Sequence, residues 1–370
     1  MTSPLLSRRG AVPASGADAG VAWHYGDPVA EARALARGGG FVDQSHLGVV
    51  TVTGPDRLGW LNSITSQKLD DLPPRTSTET LVLSPQGHVE HAAAVVDDGG
   101  TTWLLTEGSH APALAQWLDR MRFMMRVEVA DVTERWAAIG ETVAAEGAEG
   151  EPVTWLDPWP RVLGGGTRYG PPPEEHPGAQ RVWRLVLVPR ERLAAEVAER
   201  EAAGWTLAGT WAAEALRVEA WRPRLGLEVD HRAIPHELDW LRTAVHLHKG
   251  CYRGQETVAR VHNLGRPPRR LVMLHLDGSP NVLPSPGAAV VFEGKEVGHV
   301  TTSARHHELG PVALALVKRS LPVDVELEVP VGDVVVAAAQ EEVVSVGGVT
   351  PDRPEVRRDV MPGLRGNSIV

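Results

Sequence analysis

The run Lys249-Gly250-Cys251-Tyr252-Arg253-Gly254-Gln255-Glu256-Thr257-Val258-Ala259-Arg260 holds the only cysteine of the chain between two glycines and among several cations. The glycines let the backbone turn sharply and leave the thiol accessible. The pattern predicts a helix from Gln255 to His262, with Cys251 a few residues before its positive end and Lys249 and Arg253 adding charge. Each of these favours thiolate over thiol, the form that acts as nucleophile or ligand. A lone cysteine is elsewhere a small buried hydrophobe, and this setting argues for the functional alternative.

A second stretch reads Leu216-Arg217-Val218-Glu219-Ala220-Trp221-Arg222-Pro223-Arg224-Leu225-Gly226, followed by Ile234-Pro235-His236-Glu237-Leu238. One carboxylate can hold a heterocycle that exposes two adjacent N–H donors. Glu219 could supply that carboxylate and nearby Trp211 a stacking face; the plain alternative is a solvated helix glutamate. The basic run Arg266-Pro267-Pro268-Arg269-Arg270 could meet an anionic ligand tail or an acidic partner, or be an ordinary solvated loop. His246-x-His248-x-x-Cys251 has a spacing open to a metal. No fourth ligand or second-shell carboxylate accompanies it, so a solvent-facing strand is preferred and no metal is assigned. His306-His307 is expected on the surface before a turn.

The chain has 370 residues, too many for one ordinary core, and suggests two or three domains. A net charge of -10 makes nucleic acid an unlikely partner, and an anionic ligand would need a local basic patch. One cysteine makes no internal disulfide, and no run is long and apolar enough to span a bilayer. Ser7-Arg8-Arg9-Gly10 is followed by Ala11-Val12-Pro13-Ala14, not by a sustained apolar region, so export is rejected and a cytoplasmic protein is expected.

The elements that must position these residues are mixed. Residues 1–20 and 346–370 read as flexible tails. Asp27-Pro28 opens a helix to Ala36, residues 47–53 form a strand, and Gly54-Pro55-Asp56 starts a helix carrying Leu58, Leu61 and Ile64. Strand patterns at 80–83, 88–96 and 101–106 alternate with the turn sequences Ser84-Pro85-Gln86-Gly87 and Asp97-Asp98-Gly99-Gly100. A helix at 111–121 and a strand at 124–129 complete that block. Residues 141–180, rich in Gly, Pro, Glu and Ala, read as a surface loop insertion. A strand at 182–188 and helices at 190–203 and 211–221 follow. From Leu271 onward six short strands between Gly- and Pro-rich turns suggest a small barrel or sandwich. This gives an α+β region over 21–245, of two subdomains, and a cysteine-motif segment with a C-terminal β-barrel over 246–345.

Lys249-Gly250-Cys251-Tyr252-x-Gly254-Gln255-Glu256 resembles the signature of the YgfZ family of folate-binding proteins. The 216–220 and 234–238 stretches resemble the same family, as does Gly54-Pro55-Asp56-Arg57-Leu58-x-x-Leu61-Asn62-x-Ile64-Thr65-x-Gln67. The resemblance covers about residues 40 to 340. It implies a T-protein-like cloverleaf of two interleaved α/β subdomains with folate in a central hole, plus a C-terminal β-barrel. It also implies a tetrahydrofolate-binding accessory factor for assembly or repair of iron–sulfur enzymes, acting through Cys251, with Glu219 holding the pterin. Lys249, Gly250, Tyr252, Gly254, Gln255, Glu256 and Arg260 are then motif residues, and Trp211 and Arg269 join Glu219 at the folate.

The wider superfamily includes the aminomethyltransferase of glycine cleavage, so a folate-dependent aminomethyl- or methyltransferase is the alternative and a tRNA-modification factor the second. The transferase pattern has a paired aspartate after the first meander turn, where this chain reads Gly87-His88-Val89-Glu90-His91-Ala92. An acid–base carboxylate is not replaceable by alanine without changing the chemistry, which leaves Glu90 as a substitute. Trp221 stands where the family usually has glycine. One cysteine cannot hold an iron–sulfur cluster alone, so the remaining options are a transient cluster shared with a partner or a redox thiol.

Overall fold

The computed structural model describes residues 2–353 apart from 146, 148 and 149. Among them lie the helices α1 (Pro28–Ala36), α2 (Arg57–Ile64), α3 (Ala111–Met121), α4 (Leu193–Ala202), α5 (Thr210–Glu219), α6 (Leu241–Ala244) and α7 (Gln255–Asn263). Local chemistry sets their ends. The Asp27 side chain accepts from the Ala30 N–H at 3.0 Å and Pro28 occupies the first helical position of α1. In α3, Ala111, Leu114, Trp117 and Leu118 recur at helical spacing and all are buried. No helix among the described residues is long and apolar enough to cross a membrane.

A two-stranded pair (Val12–Pro13 with Ala22–His24), two five-stranded sheets and a closed barrel carry the strands. The first sheet orders Thr154–Leu156, Arg184–Pro189, Trp136–Glu141, Gly40–Asp43 and Thr206–Ala208, the last pair parallel. The second orders Ser77–Leu83, Val89–Asp97, Thr101–Thr106, Gly48–Thr53 and Glu128–Asp131, all antiparallel. The barrel closes Arg269–Leu276, Gly310–Lys318, Lys295–His306, Ala289–Phe292, Leu327–Val331 and Val334–Glu342.

The strand Ser77–Leu83 is buried along its whole length, which explains why it lacks a solvent face. Leu81 and Leu83 enter a core shared with α5, α7 and the barrel, whereas Val82 enters the core under α3. The α+β architecture with a terminal barrel is therefore as the sequence suggests.

Several local expectations are corrected. Residues 2–20 are not a loose tail: Ser3 caps a turn at Pro4–Ser7, and Leu5 and Asp18 are buried. The 141–180 stretch is not a surface insertion, because Thr154–Leu156 extends the first sheet and Trp155, Trp159 and Tyr169 are buried. Its Gly and Pro content masked three aromatic anchors. Instead of a strand at 124–129, Phe123 and Met124 are exposed and the strand begins at Glu128. Thr350 is buried beside Thr167, and residues 354–370 of the expected tail lie outside the described residues.

Candidate functional site

Lys249, Tyr252 and Gly254 fix the cysteine run to its neighbours. The Lys249 ammonium donates to the carbonyls of Asn62, Thr65 (2.6 Å) and Gln67 (2.8 Å), where α2 ends. A helix C-terminus presents unpaired carbonyls and partial negative charge, which a buried cation answers. Burial draws Lys249 down to about 8, and its ammonium lies 5.2 Å from the centre of the Tyr252 ring. Tyr252 itself is buried in the shared core. Gly254 adopts φ +85°, and a Cβ there would stand 2.6 Å from the Ser84 carbonyl oxygen. This contact seats α7 on the hairpin turn between the second sheet's first two strands.

Cys251 is exposed, four positions before α7 begins, and Gly250 beside it faces open space. Arg253 does not stand free beside the thiol, because it pairs with Glu90 at 2.8 Å. Glu256 and Arg260 are exposed on α7, and Gln255 opens that helix. The His246 and His248 rings meet edge-on with centroids 6.4 Å apart, and His246 Nδ1 accepts from the His248 N–H. No group of three His, Cys, Asp or Glu gathers as a metal site among the described residues.

A separate central cavity of about 150 Å³ lies where the two sheets and α5 meet. Its apolar wall includes Leu47, Ala92, Ala94, Trp155, Trp183 and Trp240. Buried ion pairs lie along the same wall. Arg222 bridges Glu79 (2.7 Å) and Asp157 (3.2 Å), and Arg181 also holds Asp157 (2.8 Å). On the other side Arg217 pairs with Glu214 (2.9 Å) and Glu228 (2.8 Å), while Arg224 meets Glu107 (2.7 Å), Glu214 (3.0 Å) and Asp18 (2.7 Å). Buried charges persist only when paired in this way. Burial alone would raise Asp157 and Glu107, but Arg222 and Arg224 respectively outweigh it and hold both carboxyls below the usual range.

Some polar atoms of this lining lack a hydrogen-bond partner. Glu79 Oε1, Arg222 Nη1 and Trp240 Nε1 are buried without a hydrogen-bond partner, and all three residues line the cavity. Register explains the position of Glu79: it faces Ala94 across the hairpin, and Leu81 faces Ala92. Ala92 also lines the cavity, and Glu90 is turned to Arg253.

The other expected folate contacts lie apart. Glu219, at the end of α5, lines a different cleft of about 530 Å³ with Arg33, Arg37 and His307, and stands 3.2 Å from His306 Nε2. The helix accounts for this: two residues beyond Arg217 is about 200° around the axis, away from the central cavity. Trp211 packs half-buried against the core of the first sheet and lines neither space. Arg269 is bound to Asp230 (2.5 Å) and Glu237 (2.8 Å), and Arg270 is buried against Gln340 and the Leu321 carbonyl. Arg269 and Arg270 are thus held by the protein itself, while Arg266 is exposed. His306 is buried, not a surface residue.

Trp221 adopts φ +55°, the conformation that suits glycine at this position, and its indole N–H reaches the Met273 sulfur at 3.0 Å. Glu79, Asp157, Arg181, Arg222 and Trp240 were missed by the sequence reading. The available signals were a glutamate inside an apolar strand and tryptophans inside a supposed loop.

Two family models match this chain: the GCVT N-terminal domain over residues 5–140 and the glycine cleavage T-protein C-terminal barrel domain over residues 269–344. An aminomethyltransferase of Moorella thermoacetica is 27% identical over 324 residues, 79% of this chain and 82% of the relative. One from Streptomyces coelicolor is 26% identical over 311 residues, with the same shares. The crystal structure of glycine cleavage system aminomethyltransferase T from Bartonella henselae shares the fold, with a TM-score of 0.72 at 17% identity over 92% of this chain and 95% of that one. With the two models matched in order at either end of this fold, the chain belongs to the glycine-cleavage T-protein superfamily.

Proposed function

We propose that the protein binds tetrahydrofolate or a one-carbon derivative in the central cavity and serves as an accessory factor for iron–sulfur enzymes. The observation that carries the folate reading is the cavity: tryptophan walls beside a buried carboxylate, guanidinium and indole that each retain an unpaired polar atom. A flat, hydrogen-bonding heterocycle fits such a chemistry. Tetrahydrofolate would supply a carrier for a one-carbon unit, and the residues named above would bind and orient it.

Ala92 at the cavity and the exposed Cys251 support an accessory role over standard aminomethyl transfer. With one thiol, any cluster ligation would be shared with a client or assembly protein. The YgfZ-like octapeptide supports the same reading. Calorimetry should show saturable tetrahydrofolate binding, and cells lacking the gene should lose activity of particular iron–sulfur enzymes. No binding at millimolar ligand would refute the first half, and undiminished enzymes the second.

A folate-dependent aminomethyltransferase is the second reading, favoured by the names of the curated relatives. It requires turnover of an aminomethylated carrier on the order of 1 per second.

A further inference from the structure

We propose that the face at the C-terminal end of α7, where Arg260, Arg266, Arg319 and Arg353 gather about the exposed Leu264, docks an acidic protein partner. Naming that partner an iron–sulfur client rests on the accessory reading above; the surface itself does not. The four arginines come from separate parts of the chain. Arg260 is in the last turn of α7, Arg266 lies two residues beyond Leu264, Arg319 follows the barrel strand Gly310–Lys318, and Arg353 ends the described residues. Leu264 is 67% exposed.

Backbone packing brings them together. The Leu264 and Gly265 N–H groups both donate to the Arg260 carbonyl at 3.0 Å, so the chain leaves α7 close against its last turn. Arg353 Nε donates to the Asn263 carbonyl at 3.0 Å. At Gly348 a Cβ would stand 2.8 Å from Arg319 Cδ and 3.4 Å from Arg266 Cβ, which places those two arginines on either side of one glycine. Arg319 donates to the Val346 carbonyl at 3.3 Å, and Val346 is a second exposed apolar side chain.

Their charge is not answered within the chain. Arg253 before α7 pairs with Glu90, and Arg269 after it pairs with Asp230 and Glu237. Arg260, Arg266, Arg319 and Arg353 have no carboxylate partner among the described residues, and the bonds of the last two go to neutral carbonyls. Three carboxylates lie nearby. Glu256 is exposed one turn before Arg260, Asp352 accepts from Thr167 at 2.9 Å, and Glu342 is offset by buried Arg270. On a chain of net charge -10 this local excess of cations calls for an acidic complement.

An apolar centre with a guanidinium rim is the anatomy of a protein–protein contact. A phosphate backbone would meet Glu256 and Asp352 in the same patch and a negative chain around it. The Cys251 loop stands at the other end of α7, about 14 Å away along the helix. A standard interface of about 800 Å² per partner spans that length.

The test replaces Leu264 with p-benzoylphenylalanine in the full chain and irradiates cells that express it. Crosslinks should map by mass spectrometry to a protein segment rich in Asp and Glu. Arg260→Glu with Arg266→Glu should cut their yield at least about 10-fold, because each cation becomes a like charge. Arg9→Glu with Arg120→Glu, the same change in net charge at exposed arginines elsewhere, should leave the yield intact. Thermal melting checks that each variant is folded, and the parent crosslink is read without them. Crosslinks to nucleic acid, to a second copy, within the chain or to nothing overturn the proposal. Crosslinks that survive the charge reversal, or vanish equally in the control pair, overturn it too. Undiminished iron–sulfur enzymes in deleted cells refute the accessory reading alone, since the crosslink is read independently of them.

Discussion

Replacing Lys249 with methionine keeps the length and apolar stem of the side chain and deletes its charge. The deletion leaves the carbonyls of Asn62, Thr65 and Gln67 without their common donor. Hydrogen bonds from a charged group contribute about 1.5–3 kcal/mol each. The three share one ammonium whose burial is itself costly, as its lowering to about 8 shows, so their sum is not additive. A net loss of about 2–4 kcal/mol follows, including roughly 0.5 kcal/mol from the end of α2.

At about 2–4 °C per kcal/mol for a cooperative unit of ordinary size, a loss near 3 kcal/mol lowers Tm by roughly 6–12 °C. Calorimetric melting of Lys249→Met beside wild type measures it. Amide exchange should accelerate at Ser66 and His246, whose N–H groups are bonded to Leu81 and Ser66 next to the ammonium. A Tm within 2 °C of wild type, with unchanged exchange, would refute the claim that this lysine is a helix clamp.

Cys251→Ser, at an exposed position, should shift stability by less than about 0.5 kcal/mol and spare folate binding, yet reduce rescue of iron–sulfur enzymes in deleted cells. Full rescue would show that the thiol takes no part in the function. Gly254→Ala combines a left-handed φ of +85° with a Cβ 2.6 Å from a carbonyl oxygen, and should cost about 2–4 kcal/mol in chemical denaturation. Burial holds His236 and His176 down at about 3 and His91 at about 4. Below the ordinary value of 6.5 the unfolded chain therefore takes up protons that the native protein refuses, and stability falls with pH. The slope is up to about 1.4 kcal/mol per pH unit for each histidine, so Tm should decline steadily from pH 6.5 to 5; a flat profile would contradict the burial.

The fold was legible wherever periodicity and turn chemistry agree. The meander strands, α3, α5 and the six barrel strands all appear close to their expected bounds, because apolar periodicity and flanking turn residues mark the same limits there. Composition failed at 141–180, where a few buried tryptophans outweigh many flexible residues. The exposure of Cys251 and the helix opening at Gln255 were legible from the sequence, but the commitment of Lys249 to the α2 carbonyls and of Arg253 to Glu90 was not. The cavity was not, since Glu79, Asp157, Arg222 and Trp240 are scattered in sequence and meet only through tertiary packing. Glu219 shows the converse: being next to important residues along a helix fixes neither face nor cavity.

The separation of cavity and cysteine constrains any mechanism. No residue from 249 to 256 lines the cavity. The link between them is the strand Ser77–Leu83, with Glu79 at the cavity and Leu83 and Ser84 against Gly254. From Glu79 to Leu83 an extended chain covers about 13 Å. Direct transfer needs reacting atoms about 3–3.5 Å apart, and a one-carbon unit held beside Glu79 would lie that strand segment away from the Gly254 turn. Folate binding and thiol chemistry would be separate events on opposite ends of one buried strand. Alkylation of Cys251 should then leave folate affinity unchanged, and saturating folate should leave its alkylation rate unchanged. A covalent one-carbon adduct on Cys251, detected by mass spectrometry after incubation with labelled folate, would refute this separation.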